Sequence, residues 1–320
     1  MGSTTPTHLP SFPGILHQYD PRLIAFEFAG SSGKTASSCK DRHLLLFVGG
    51  LGDGLVTVPY VPKLVEPLDK LGWGVIQVHT QSSYIGWGTG SLVRDDEDLH
   101  KAVEFFAHLG GSEYNTRKIV LMGHSTGSQN VLYYLSQSSL DNHLAAAIAQ
   151  ASVSDREGCY NTVGIDETHK LLAWVQNEYI DKNLGDDVLP RSKISHVMGD
   201  TPISANRFMD LVSVRGRDDF FSTDLTSDDF AKTFGSLKPI TGTCKYSQLA
   251  LFMSEKDEFL SKDVDRGELV RRFQQAIRPQ SSNSVFSGVI PGATHNVGNS
   301  SEPGALEWLI EHVVEVLRHL

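Results

Sequence analysis

The sequence predicts an α/β fold: a mostly parallel central sheet with helices on both faces and an inserted cap. Three observations carry this. Short apolar runs at 43–48, 73–79, 119–122 and 145–150 suit buried strands, and amphipathic stretches between them suit helices. The rhythm stops over 155–235 and resumes with apolar runs at 247–253 and 285–290. A chain of 320 residues, 40% hydrophobic and 21% charged, can bury one large core.

The elements follow in order. Residues 1–11 are polar and carry two prolines. Residues 13–18 and 23–28 read as antiparallel strands about a Tyr19-Asp20-Pro21 turn. Residues 30–41 form a surface loop. Its Gly33-Lys34-Thr35 does not make a phosphate loop, because Phe28 stands where the first glycine is required. The strand at 43–48 runs into Gly49-Gly50-Leu51-Gly52-Asp53-Gly54, and a helix is expected over 57–71 with an irregular start at its prolines. A strand at 73–79 precedes a loop over 81–90 that carries Tyr84 and Trp87. The helix over 92–109 has Asp95, Asp96, Glu97 and Asp98 near its start, where acids favour the dipole. After the strand at 119–122 come a helix to about 137 and a strand at 145–150. The insertion is helical over 168–183 and 205–211, and holds 15 acidic residues against 9 Lys plus Arg. The last part reads as a strand at 247–253, a helix over 264–277, a strand at 285–290 and a helix over 302–320. The expected division is a core of 1–154 and 236–320 with a cap of 155–235.

The chemistry centres on Gly123-His124-Ser125-Thr126-Gly127, between a buried strand and a helix whose apolar Val131, Leu132 and Leu135 share one face. Strand, sharp turn with serine at its tip, helix: this is the nucleophile elbow of α/β-hydrolases. The glycines remove side chains that would collide with nearby backbone. The Gly49–Gly54 loop lies where this fold keeps the second half of its oxyanion hole. The expected donors are the N–H of Leu51 or Gly50 and that of Thr126. The acid of the triad belongs just past a late strand; Asp257 is the choice, with Glu258 and Glu255 as rivals. The base is His295, in the loop after the last strand, since the other histidines downstream of Asp257, His312 and His319, fall on the final helix. The order Ser125, Asp257, His295 is the hydrolase order. Asp53 either orients its loop or touches substrate, and Tyr84 and Trp87 either line an acyl pocket or cover the core. Serine as nucleophile implies an acyl-enzyme and disfavours an aspartyl-ester mechanism. This chemistry calls for no metal and no redox cofactor.

Other classes are disfavoured. The net charge of −10 opposes nucleic acid or an anionic membrane as main partner. No apolar run is long enough to span a bilayer. Residues 1–12 lack the basic region and apolar core of a signal peptide. Cys39, Cys159 and Cys244 are far apart with no CxxC, which fits a reduced, cytoplasmic setting.

With Gly49–Gly54, the elbow, Asp257, Gly292-Ala293-Thr294-His295 and the Ser83-Tyr84-Ile85-Gly86-Trp87-Gly88 stretch in place, the chain over roughly 12–320 resembles a family of fungal and plant α/β-hydrolases whose best-understood fungal members are intracellular siderophore esterases. The resemblance implies a small-molecule ester substrate, an iron-loaded cationic siderophore of the fusarinine C type, opened at its ornithyl esters to release iron. An acidic cap would attract such a cation. The alternatives are another carboxylesterase, a lipase or a thioesterase, and a non-catalytic binding protein on the same fold.

Overall fold

The computed structural model describes residues 10–111, 117–137, 144–235, 237, 249–277 and 286–320. One eight-stranded sheet is built from β1 (Gly14–Asp20), β2 (Leu23–Phe28), β3 (His43–Val48), β4 (Trp73–His79), β5 (Ile119–His124), β6 (Leu144–Gln150), β7 (Leu249–Ser254) and β8 (Ser287–Ile290), in spatial order β1-β2-β4-β3-β5-β6-β7-β8. The β1–β2 and β2–β4 pairs are antiparallel and the other pairs parallel. The continuous apolar runs form the central strands because both faces are covered.

Alternation along each strand sorts its side chains. Leu44, Leu46, Ile119 and Leu121 face one apolar layer; Leu45, Phe47, Val120 and Met122 face the other. The first layer is filled by α2 (Leu92–His108) and α3 (Thr126–Ser136), through residues such as Phe106 and Leu132. The second is filled by α1 (Val61–Asp69) and by a C-terminal helix at Ala305–Arg318, through Leu64 and Leu309. Each such buried Leu or Phe contributes about 1.5–3 kcal/mol. The helix expected from 57 starts only at Val61, since Thr57 is tied by its hydroxyl to Asp53 and Gly54 and Pro62 falls in the first turn, where a missing N–H is harmless.

Between β6 and β7 the chain forms α4 (Asp155–Val163), α5 (Ile165–Val175), a π-turn at Gln176–Ile180, α6 (Arg191–Met198), α7 (Ala205–Val212) and α8 (Ser227–Phe234). Only α5 with its π-turn and α7 had a clear periodic signal. The insertion is not uniform. Residues from Cys159 to Val212 share a separate apolar cluster with Trp87. By contrast Phe221, Leu225, Phe230 and Phe234 pack in the main core with Phe273 of α9 (Arg266–Ile277). The stretch 221–235, expected as part of the cap, therefore contributes to the core of the sheet layer. Helix α8 is capped by Thr226 and Asp229, each bonding the other's backbone N–H. The C-terminal helix is α10 (Ala305–Arg318). Ser247, Gln248 and Val285, expected at strand starts, and Cys244 lie outside the described residues.

Candidate active site

The loops that follow β3, β5, β6, β7 and β8 meet at the carboxyl edge of the sheet. Parallel register brings them together: Val48 is level with Gly123, His124 with Gln150, and Ser254 with Ile290. The expected nucleophile, Ser125, has φ 55° and ψ −125°, a strained conformation for a side-chain-bearing residue. Its N–H donates to the Gln150 carbonyl at 3.0 Å, and its own carbonyl accepts from Ser128 at 2.8 Å. The elbow admits only glycine at its ends. A Cβ on Gly123 would stand 2.1 Å from the Gly127 carbonyl oxygen, and one on Gly127 2.5 Å from that of Val48.

Asp257 and His295 come from neighbouring loops after β7 and β8. His295 Nδ1 lies 2.8 Å from Asp257 Oδ2, with both side chains buried. Asp257 Oδ1 accepts the Phe259 N–H at 3.1 Å, which fixes the carboxylate plane. The rival acids have other partners. Glu258 accepts the His295 backbone N–H at 2.9 Å, and Glu255 the Gly292 N–H at 2.6 Å. The Phe259 ring stands edge-on to the imidazole with centroids 4.7 Å apart. Ser125 and His295 line one cavity of about 400 Å³ together with Leu51, Asp53, Trp87 and Asp155.

The glycine loop departs from expectation at one donor. The Gly50 N–H is bound to Asp53 Oδ2 at 2.9 Å, so it is not free for a substrate oxygen. Asp53 Oδ1 accepts the Thr57 hydroxyl at 2.7 Å. Asp53 thus braces its loop while standing at the cavity wall. Gly50 has a steric role instead: a Cβ there would sit 2.6 Å from Ser125 Cβ. The two aromatic candidates separate. Trp87 is buried and lines the cavity. Tyr84 lies across Gly54, its hydroxyl accepting the Leu55 N–H at 3.0 Å, so it buttresses the glycine loop from outside and is not among the cavity's lining residues.

Three residues that sequence reasoning passed over organise the site. Gln150 is fully buried, and its Nε2 donates to the His295 carbonyl and to Ser254 Oγ, both at 3.2 Å. A carbonyl can only accept, so the amide oxygen must face the other way. There it accepts from Tyr60 at 3.0 Å and from His124 Nδ1 at 2.6 Å. Burial, then the adjacent His295, lowers the His124 pKa to about 4, so its ring is neutral. The third is Asp155, the first residue of α4. Its Oδ2 accepts from Gln129 Nε2 at 3.0 Å and its Oδ1 from the Thr126 hydroxyl at 3.4 Å. Burial, and next Asp218, push its pKa up to about 7. A signal for it existed: Ser154-Asp155-Arg156-Glu157 opens a helix directly behind a buried strand.

The cap is anchored at two points of the rim. Ser204 donates its N–H to the Gly88 carbonyl at 2.8 Å, and Arg207 Nε donates to the Trp87 carbonyl at 3.0 Å. Across the cavity, Asn161 Nδ2 donates to the Phe259 carbonyl at 3.2 Å. Among the described residues no helix is long and apolar enough to cross a membrane.

Residues 5–318 match the family described as protein of unknown function DUF1749. A UPF0613 protein of Schizosaccharomyces pombe is 63% identical over 96% of this chain and 98% of its own length. The fusarinine C esterase sidJ of Aspergillus fumigatus is 34% identical over 96% of both chains. The solved structure of the siderophore hydrolase EstB from Aspergillus fumigatus superposes with a TM-score of 0.78 at 32% identity, covering 98% of each chain. The chain therefore belongs to the DUF1749 family and, with these esterase relatives, to the siderophore esterase family of α/β-hydrolases.

Proposed function

We propose that this ester hydrolase works through a serine nucleophile and that its substrate is a fusarinine-type siderophore, ferric fusarinine C, cleaved at its ornithyl esters to release iron inside the cell. One observation carries the mechanism: a buried Asp257–His295 pair at 2.8 Å on the same cavity as a serine held at the tip of a strained elbow. In this reading His295 takes the Ser125 proton as the hydroxyl attacks the ester carbonyl, then gives it to the departing alcohol. Asp257 holds the imidazole with its proton on Nδ1 and stabilises the imidazolium. The N–H groups of Leu51 and Thr126 hold the oxyanion, each donor being worth about 2.7–4 kcal/mol. Water then frees the acyl group. The substrate assignment is supported by the named relatives and by the acidic insertion.

The apolar share of the cavity wall, including Val153, Leu211, Val212 and Met198, favours a second reading, a carboxylesterase for simpler acyl esters. Mass spectrometry of ferric fusarinine C after incubation with pure protein separates the two. The expected result is stepwise addition of water at the ester bonds, with the Ser125→Ala variant folded, unlabelled by a fluorophosphonate and inactive. Ser125→Ala turnover near the wild-type rate would overturn the mechanism. An intact siderophore alongside rapid hydrolysis of short esters would overturn the substrate.

A further inference from the structure

The cavity that holds Ser125 and His295 is lined by two carboxylates, Asp53 and Asp155, and by no lysine or arginine among the described residues. Its histidine other than His295 is His124, which is neutral. Asp53 has both oxygens occupied by Gly50 and Thr57. Asp155 differs. Its two protein donors, an amide and a hydroxyl, are neutral, and one lies at 3.4 Å. The guanidinium that acts on it, that of Arg207, is already paired with Asp218 at 2.6 Å. Asp155 also accepts from the side chain of Thr126, the residue next to Ser125, so its carboxylate lies beside the elbow on the wall of the same cavity.

We propose that Asp155 is the specificity residue for the acyl group: it receives an ammonium borne next to the scissile carbonyl, so that α-amino esters are taken in preference to their deaminated counterparts. This rests on the ester-hydrolase reading above and names the chemistry that its substrate must carry. The physical reason is charge balance. A carboxylate that shares its cavity wall with Val153, Leu211 and Val212 pays a desolvation cost that neutral donors only partly offset. A substrate cation at hydrogen-bond distance supplies the missing counter-charge. The raised pKa of Asp155 fits a carboxyl waiting for such a partner, with Asp218 opposing its ionisation and Arg207 and His295 favouring it. An acyl group bearing a carboxylate would meet two acids and no lysine or arginine in the cavity wall, and be rejected.

The test uses a matched pair, L-norvaline ethyl ester and ethyl pentanoate, which differ only in the amino group. In the wild type the first is preferred. In Asp155→Asn that preference, the ratio of the two kcat/KM values, is expected to fall about 30-fold, the scale of one charged hydrogen bond, mostly through KM. Asp155→Glu should restore part of it. Equal losses on both esters would mean that Asp155 only shapes the pocket, and would overturn the proposal, as would an unchanged ratio. A turnover-independent readout separates this from the esterase reading. Calorimetric binding of n-pentylammonium should weaken at least tenfold in Asp155→Asn while that of n-pentanol does not follow. If that dependence is found in a protein that leaves both esters and ferric fusarinine C intact, the cation site stands and the ester-hydrolase reading falls. If hydrolysis is rapid but ammonium binding ignores Asp155, the reverse holds.

Discussion

The rim of the sheet and the inserted helices beside it are held in different ways. At the rim, Ser125, Gln150, Asp257 and His295 are positioned by backbone: parallel register, an elbow that excludes any Cβ at Gly123 and Gly127, and one buried amide bonding two histidine loops. The cap has a smaller apolar cluster of its own and relies on buried ion pairs. Arg207 meets Asp218 at 2.6 Å with both side chains 1% exposed, and Arg156 meets Asp219 at 3.2 Å with exposures of 1% and 0%. Backbone geometry tolerates little variation and gives the chemistry its fixed frame. Ion pairs orient the cap at a high desolvation cost, and so make it the more easily perturbed half of the site.

The largest effect is expected at the rim: Asp257→Asn should cost about ten-thousandfold in kcat, because the imidazole would be held in the wrong tautomer. Steady-state kinetics on any ester that the wild type cleaves checks this. Next comes the cap. Arg207→Ala should destabilise the fold by about 3–5 kcal/mol, since it leaves Asp218 buried and unpaired. Replacing Arg207 and Asp218 together with apolar residues of similar size should cost much less. Denaturant titration of the two variants distinguishes a pair that stabilises from one that mainly orients.

A smaller effect concerns pH. The Asp155 carboxyl has a raised pKa in the fold, so its contribution to stability is complete below its unfolded pKa and is lost as pH rises through about 7. Asp155→Asn should therefore gain thermal stability relative to the wild type as pH rises from about 4 to about 7, by a few degrees in Tm, and hold that gain above it. His124 runs the opposite way in both proteins, its lowered pKa removing stability as pH falls from about 6.5 toward 4. Only the difference between variant and wild type reports Asp155. The smallest effect is expected for Glu258→Gln. The amide can still accept the His295 N–H, so activity should fall by less than about threefold, the scale of one neutral hydrogen bond. Equal losses in Glu258→Gln and Asp257→Asn would assign the acid role wrongly.

Legibility followed the same division. Continuous apolar runs at 43–48 and 73–79 predict β3 and β4 to the residue, because a strand buried on both faces leaves no other pattern. Asp257 and His295 stood out because each follows a strand at a place where the fold needs chemistry. The three short helices α4, α6 and α8 did not stand out, being eight or nine residues each and rich in polar side chains. The capping pair of α8 and its Phe230 and Phe234, four apart on one face, were the available signal. Gln150 reads as the polar end of an apolar strand until the register sets it beside His124. The Gly50 N–H could not be excluded as a donor from sequence, since only the folded loop turns Asp53 back onto it.

The bond from Asn161 to the Phe259 carbonyl ties a helix of the cap to a ring that rests against the base. Phe259 also gives its N–H to Asp257 Oδ1 at 3.1 Å, so a single residue joins the inserted helix, the carboxylate and the imidazole. The loop that carries Asp257 is thereby held from the insertion as well as from the sheet, and a change at Asn161 bears on the Asp257–His295 pair without touching either residue.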